Sequence, residues 1–467
     1  RNEVSKIVEE VLKQYLNKSA LDGVKPQRGI FATMDDAVAA AKDAQRKLMA
    51  LSLEKRYEII AAMRATGLQH ARHLAEMAVA ETGLGRVEDK INKITLQCKK
   101  TPGPEDLEPR SWTGDKGFTL EERAPFGVLG SVTPVTNPAA TIINNSISMI
   151  SAGNSVVFNP HPSAKRVCQR SIELLNEAIE QTGGPPNVIT TIEEPSLESS
   201  GVLMKHPGIR VLVVTGGPYV VKAAMASGKR AIAAGPGNPP VLVDETADIR
   251  RAARDTLAGH AFDNNVMCTC EKEVFVVDRV FSDFIQEIRA VGAHELTPLQ
   301  LDQVVKTVVK PGAPGERSSM VKDFVGKDPS IIARAAGFEV PAGTRTLLAV
   351  DVPQDHPLVQ LEQLMPVLPV VRCRTWEEGM QWAIQAEHGY CHTAIMHSRN
   401  VEAMSVMAKA VCVSLFVKNG PNYASLGFGG EGPTTMTIAG TTGEGVTSAR
   451  IFTRPRRCTM VELFRIV

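Results

Sequence analysis

Gly127-Val-Leu-Gly-Ser-Val132 opens a stretch in which short apolar runs alternate with segments of helical texture. After it come Pro138 to Ile150, Ser155-Val-Val-Phe158, Ala164 to Gln181, Asn187-Val-Ile-Thr-Thr-Ile192, a shorter helical piece at Leu197–Lys205, and Arg210-Val-Leu-Val-Val-Thr215. Unbroken apolar runs bounded by turn residues suit strands buried on both faces, and the segments between them are long enough to cross back over a sheet. Parallel neighbours require such crossovers, and the helices then cover both faces. The stretch predicts a parallel α/β layer of the dinucleotide-binding class.

A second block of the same kind begins at Pro239-Pro-Val-Leu-Val-Asp244. A helix from Ala247 to about Ala261 follows, for which Thr246 is the expected N-cap. Then come Asn264-Asn265-Val-Met-Cys268, a strand at Val274–Val277, a helix at Phe281–Val291, and further alternation to about residue 415. Upstream, Ala32 to about Lys99 is helical in pattern. Thr101–Arg110 is rich in proline, and the run through Glu122 lacks a helical period, which predicts an excursion of strand or loop. Near the start, Val4, Ile7, Val8, Val11, Leu12 and Tyr15 fall on one helical face. This is either a first helix packed on the body or a docking peptide joined by the linker Asn17–Gly29.

The chain of 467 residues is long enough for two or three domains and a large core. Lys and Arg number 52 against 51 Asp and Glu, so no net field draws the chain to nucleic acid or an anionic membrane, and a small-molecule partner is expected. Arg450, Arg454, Arg456 and Arg457 are too few for a nucleic-acid patch. The eight cysteines lack paired metal spacing, and a chain of this size needs no disulfide framework, which points to free thiols in a reducing, cytoplasmic setting. No apolar run reaches the ~20 residues of a membrane span.

Four features could carry chemistry. Thr215-Gly216-Gly217-Pro218 lies where a strand gives way to a helix, a place where a diphosphate can approach the backbone and a helix N-terminus, although a plain tight turn has the same composition. Cys268 and Cys270 share one short segment; either could be a nucleophile if exposed and supplied with donors, and both could equally be buried structural residues. Asn137 stands at the head of a helix, as an oxyanion donor or as a cap. Glu362, in Leu361-Glu-Gln-Leu-Met-Pro366-Val, is likewise ambiguous, and in isolation such a residue is more often a solvated carboxylate.

In combination these features resemble the aldehyde dehydrogenase superfamily, and more closely its CoA-acylating branch, typified by the propionaldehyde and acetaldehyde dehydrogenases of bacterial microcompartments. The similarity runs from about Gly29 to the C-terminus. It is carried by Thr133-Pro-Val-Thr-Asn-Pro-Ala-Ala-Thr-Ile-Ile-Asn-Asn145, Thr215-Gly-Gly217 with Val220-Lys-Ala-Ala, Gly235-Pro-Gly-Asn-Pro-Pro240, Asn264-Asn265, Cys268-x-x-Glu271-Lys-Glu-Val274 and Gly443-Glu-Gly445. The resemblance implies an aldehyde dehydrogenase-like α/β fold. In it a Rossmann-type cofactor domain (29–100 and 124–236) and an α/β catalytic domain (237–439) are joined by a small β oligomerisation element (101–123 and 440–467). Residues 1–28 form the N-terminal helix and linker.

The resemblance also implies roles. Cys268 matches the nucleophile, because the family's cysteine precedes a Glu by three residues and Cys270 does not. Asn137 matches the side-chain donor of the oxyanion hole, completed by the Cys268 backbone N–H. Contacts to NAD fall to Thr133, Pro134, Thr215, Gly216, Gly217, Val220 and Gly235, and Glu362 matches the carboxylate on the nicotinamide ribose. His161 and Ser163 stand where the superfamily has Lys-Pro-x-Glu, so the carboxylate for the adenosine ribose is missing and the preference for NAD over NADP is weakened. Hydrolytic members carry a water-activating Glu in Glu-Leu-Gly-Gly; here the stretch reads Ala234-Gly235-Pro236-Gly237. General-base catalysis is worth ~10²–10⁴-fold, so its loss leaves a thioester that a free thiol, that of coenzyme A, can capture.

The activity so implied is oxidation of a short aliphatic aldehyde, propanal before acetaldehyde, by NAD+ and CoA to acyl-CoA and NADH. A hydrolytic enzyme would need a base elsewhere, such as Glu245 or Glu271, and a non-enzymatic scaffold would have no use for Cys268, Asn137 and Glu362 together. The resemblance further implies a homodimer or homotetramer, and the N-terminal segment looks like the peptides that dock such enzymes to a microcompartment shell protein.

Overall fold

In a computed structural model of the chain, described for residues 28–313 and 318–467, two parallel sheets stand end to end. The amphipathic segment at 4–16 lies outside the described residues. After β1 (Ile30–Phe31) come four helices, α1 (Met34–Met49), α2 (Leu53–Gln69), α3 (Ala71–Thr82) and α4 (Val87–Lys100). The hairpin β2 (Arg110–Gly114) and β3 (Gly117–Pro125) leads into β4 (Val128–Thr133), α5 (Pro138–Ser151), β5 (Ser155–Pro160), α6 (Lys165–Gln181), β6 (Ile189–Ile192), α7 (Leu197–Lys205), β7 (Val211–Thr215), α8 (Pro218–Met225) and β8 (Arg230–Ala234). These strands form a six-stranded sheet in the order β1-β6-β5-β4-β7-β8. One face is covered by α1, α7 and α8 through Ala37, Val38, Leu203 and Val221, and the other by α2 to α6 through Ile59, Ile143 and Ile172. Every residue of α5 is buried, as a helix trapped between the sheet and its neighbours must be.

The second sheet takes β9 (Pro240–Val243), β10 (Glu273–Val277), β11 (Ala293–Glu295), β14 (Thr346–Val350), β15 (Val367–Cys373), β16 (Thr393–His397) and β17 (Leu415–Lys418), in the order β11-β14-β15-β10-β9-β16-β17, with β12 (Val309–Lys310) and β13 (Ser319–Met320) forming a small hairpin aside. The helix after β9, α9 (Ile249–His260), begins later than its sequence suggests. Its cap is Asp248, which accepts the Arg251 N–H at 3.1 Å. The Thr246 hydroxyl instead accepts the N–H groups of Arg399 and Asn400, tying the end of β9 to the loop after β16, so the tertiary partner displaces the local cap.

The chain's end closes the excursion at 101–123. Past a two-residue antiparallel pair, β18 (Ile438–Ala439) and β19 (Gly445–Val446), the last strand, β20 (Thr453–Val461), runs antiparallel along β3, giving a three-stranded sheet β2-β3-β20 that projects from the body with Trp112, Met460 and Val461 exposed. Among the described residues no helix is long and apolar enough to cross a membrane.

Candidate active site

The segment Gly235–Pro239 links β8 to β9, so the C-terminal edge of the first sheet faces the N-terminal edge of the second. At that seam Asn137 follows β4 and Thr215-Gly216-Gly217 follows β7. From the other side Cys268, Glu362 and His392 precede β10, β15 and β16. Ligands of open parallel sheets collect at the carboxyl ends of the strands, and a second sheet set against that edge encloses them.

Cys268 is delivered by a strained turn. Asp263, Asn264 and Asn265 are all left-handed, with φ of 50, 52 and 65°. Asn and Asp tolerate this region best, yet each such residue costs on the order of 1 kcal/mol and needs outside support. That support is dense. Asp263 accepts the Arg86 backbone N–H and the Lys90 and Lys93 ammonium groups, and its own N–H goes to Asp89. The Asn265 amide donates to the carbonyls of His260 and Glu271, while Lys272, fully buried, donates to Asn265 Oδ1 at 2.6 Å and to the carbonyls of Asn265 and Met267. A buried ammonium spending its protons on loop carbonyls fixes the backbone ahead of Cys268.

The two cysteines separate clearly. Cys270 is fully buried among Phe262, Met267 and Leu426, whereas Cys268 is partly exposed. Burial and the Glu362 carboxylate push the Cys268 thiol up to about 12, against the pull of Lys272 and Lys93, so at neutral pH it is a thiol that must lose its proton to react. Among the described residues the Cys268 N–H is not spent on another backbone carbonyl.

Asn137 occupies the N-cap position of α5, but its side chain makes no cap bond. Its Oδ1 accepts Lys93 Nζ at 2.5 Å and its Nδ2 donates to the Thr136 hydroxyl at 3.1 Å. Glu362 accepts the Gly237 N–H at 3.0 Å, which sets it beside the nucleophile's segment, and burial raises its pKa. His392 is buried with Nε2 unpartnered and Nδ1 2.8 Å from the Thr393 hydroxyl. Burial and then Lys272 hold its pKa down to about 4, so the ring is neutral and can take a proton. Neither His392 nor Lys93 was singled out by the sequence reading. An apolar cavity beside Lys93 and Met267 is lined by Leu96, Phe262, Tyr423, Leu426, Phe428 and Met436, and the rings of Phe262, Tyr423 and Phe428 lie 5.1–6.2 Å apart.

The remaining candidates fall along the first sheet's edge. Gly217 is exposed at the head of α8 with nothing near an added β-carbon, Gly216 packs against Val220, and the Thr215 hydroxyl meets that of Thr437 at 3.0 Å. This open strand-to-helix turn fits a dinucleotide diphosphate. Gly235 faces Thr441, and Pro134 is half-buried just past β4. The Thr133 side chain is buried beside the Cys168 thiol, and its carbonyl accepts the His161 N–H at 3.2 Å. His161 and Ser163 are exposed, the histidine Nδ1 accepting the Ser163 N–H at 3.2 Å. They stand one strand over from β4 and do not touch the nucleophile's cluster. No group of side chains suited to a metal ion occurs among the described residues.

Two carboxylates that could have served water are disposed otherwise. Glu271 accepts the Asn422 N–H at 2.8 Å and its side-chain amide at 2.6 Å, and a glycine at 259 is what leaves room for it. Glu245 is exposed beyond the far end of β9, a strand's length from Gly237.

Comparison with known proteins gives a consistent answer. The model of the aldehyde dehydrogenase family matches residues 24–446. The acetaldehyde dehydrogenase (acetylating) EutE of Salmonella typhimurium is 51% identical over the whole of both chains. The solved structure of a propionaldehyde dehydrogenase from the Clostridium phytofermentans fucose utilisation bacterial microcompartment superposes with a TM-score of 0.91 at 44% identity, covering 94% of this chain and 100% of that one. A Rhodopseudomonas palustris propionaldehyde dehydrogenase with bound CoA and an acylated cysteine gives 0.90 at 45% identity, covering 93% and 98%.

Proposed function

The chain belongs to the aldehyde dehydrogenase family, and we propose that it oxidises a two- or three-carbon aldehyde with NAD+ through a thioester on Cys268 and passes the acyl group to CoA. The observation that carries this reading is the pairing of a partly exposed cysteine at 268 with alanine at 234, the position from which hydrolytic members activate water. Resemblance to acetylating and propionaldehyde enzymes, one of them with CoA bound and its cysteine acylated, supports the same acceptor.

The Cys268 thiol loses its proton to solvent, which the partly exposed residue meets, and its sulfur adds to the aldehyde carbon. The oxygen that becomes anionic is received by the Asn137 Nδ2–H and the Cys268 N–H, donors fixed before the reaction starts. Thr133, Pro134, Thr215, Gly216, Gly217, Val220 and Gly235 would hold NAD+, with His161 and Ser163 toward its adenosine end and Glu362 on the nicotinamide ribose, and the bound cofactor would supply the hydride acceptor. With Glu271 locked to Asn422 and Glu245 at the far edge, neither of these carboxylates prepares water, so the thioester persists. Neutral His392 takes the proton of the incoming thiol as its sulfur bonds to the acyl carbon and Cys268 leaves.

In this reading residues 29–100 and 124–236 bind the cofactor and 237–439 carry the chemistry, while 101–123 and 440–467 join copies into a dimer or tetramer. The exposed apolar side chains of the projecting sheet support that last assignment. Residues 1–28 dock the enzyme to a shell protein, which puts it in the cytoplasm inside a microcompartment. Co-purification with shell protein, lost on deletion of residues 1–20 while turnover persists, tests this. Chain length is tested by comparing kcat/KM for acetaldehyde, propanal and butanal. A steep fall at four carbons is expected, and a rising series would contradict it.

A further inference from the structure

We propose that Lys93 is a positioning residue that fixes which way the Asn137 amide faces. The inference rests on Asn137 being the oxyanion donor and goes one step behind it. Lys93 lies on the buried face of α4 with Lys90, Ile94, Gln97 and Cys98, and only 3% of it is exposed. A lysine held out of water in this way must place its protons on acceptors. Two are present: Asn137 Oδ1 at 2.5 Å and the Asp263 carboxylate.

An ammonium donates and never accepts, so it can face the oxygen of an amide but not its NH2 group. Lys93 therefore selects one of the two amide orientations, the one with Nδ2 turned away from α4. One of the two Nδ2 protons is taken by the Thr136 hydroxyl, which leaves the other for the substrate oxygen. A charged donor on Oδ1 also polarises the amide and strengthens the N–H on its other side. The same ammonium holds Asp263, the first residue of the left-handed turn that runs into Cys268. One cation thus registers the donor after β4 against the nucleophile before β10. Lys90 shares Asp263 at 3.0 Å and reaches the Thr136 carbonyl at 3.4 Å, but it is not bonded to Asn137, so the orienting role falls to Lys93.

The test is a double-mutant cycle on the single-turnover rate of NADH formation, with the full chain, NAD+ and acetaldehyde and without CoA. Asn137→Ala is expected to slow this step ~100-fold, as loss of one oxyanion donor does. Lys93→Met is expected to slow it about 10-fold in the native background, the effect of losing one charge-assisted hydrogen bond. In the Asn137→Ala background it should add less than about 2-fold, because there is no amide left to orient and Lys90 still holds Asp263. Lys93→Gln, which keeps a neutral donor, should recover most of the rate. Equal slowing by Lys93→Met in both backgrounds, or no recovery with glutamine, would overturn the inference while leaving Asn137 in place. A native rate for Asn137→Ala would instead remove the reading on which it rests. If the methionine variant does not fold, Lys93→Ser, too short to reach Asn137 and polar enough to admit water beside Asp263, carries the same cycle with the same two outcomes.

Discussion

The backbone carbonyl of Cys268 and the imidazole of His392 both close on Gly237, so that a β-carbon built there would lie 2.7 Å from the one and 2.9 Å from the other. Glycine at 237 is required by this approach and not by its backbone angles. Gly237→Ala should displace either the nucleophile's segment or the histidine. The expected result is a loss of about 1–3 kcal/mol in stability, the usual cost of overpacking, and a fall in kcat of at least tenfold. Thermal melting and steady-state rates check it; an alanine variant with native kcat would contradict the placement of both residues.

His392 should act late. Because burial holds its pKa down to about 4, the ring is neutral throughout the neutral range, and its protonation should cut CoA-dependent turnover only as pH falls toward 4, well below the ordinary histidine value of 6.5. His392→Ala is expected to keep the first turnover of NADH and lose ~10²-fold in acyl transfer to CoA. A low-pH limb near 6.5, or equal loss in both half-reactions, would argue against it.

Much of the fold was legible because buried parallel strands and their crossover helices leave strong apolar runs. α5 and α7 fall within one residue of their expected bounds. Cys268 was preferred to Cys270 through the resemblance, by its spacing to Glu271; the structure leaves Cys268 the more exposed of the two and clamps Glu271 to Asn422. The Thr246 cap was misread because the partner that claims its hydroxyl, the loop at Arg399 and Asn400, is more than 150 residues away. Lys93 was missed because a lysine in a charged helix ordinarily reads as solvated. The available signal was its position in register with Ile94 and Cys98, on the apolar side of α4.

Glu271 predicts a pH dependence of stability. Its carboxyl is raised to about 7 by burial, from an ordinary 4.5, despite the Asn422 donors. A raised folded-state pKa favours the protonated form, so the stability it lends is full below 4.5 and is lost as pH rises through about 7. Relative to the wild type, Glu271→Gln should therefore gain in melting temperature between pH 5 and pH 8. The shift is worth on the order of 3 kcal/mol. A difference that does not change with pH would mean the carboxylate is ionised throughout.

The rings of Phe262, Tyr423 and Phe428 close the apolar cavity beside Met267. Phe428→Ala should open it, raising kcat/KM for butanal and longer aldehydes relative to acetaldehyde by roughly tenfold per added methylene that finds room. An unchanged chain-length profile would place the aldehyde elsewhere.

The central claim is that an acyl group forms on Cys268 and waits there for a thiol. Rapid mixing of enzyme, NAD+ and aldehyde without CoA tests it directly. The account predicts a burst of one NADH per active site followed by a slow phase, continuous turnover once CoA is added, no burst with Cys268→Ala, and a native burst with Cys270→Ala. Carboxylic acid released at the same rate with and without CoA, or a burst that survives Cys268→Ala, would contradict it.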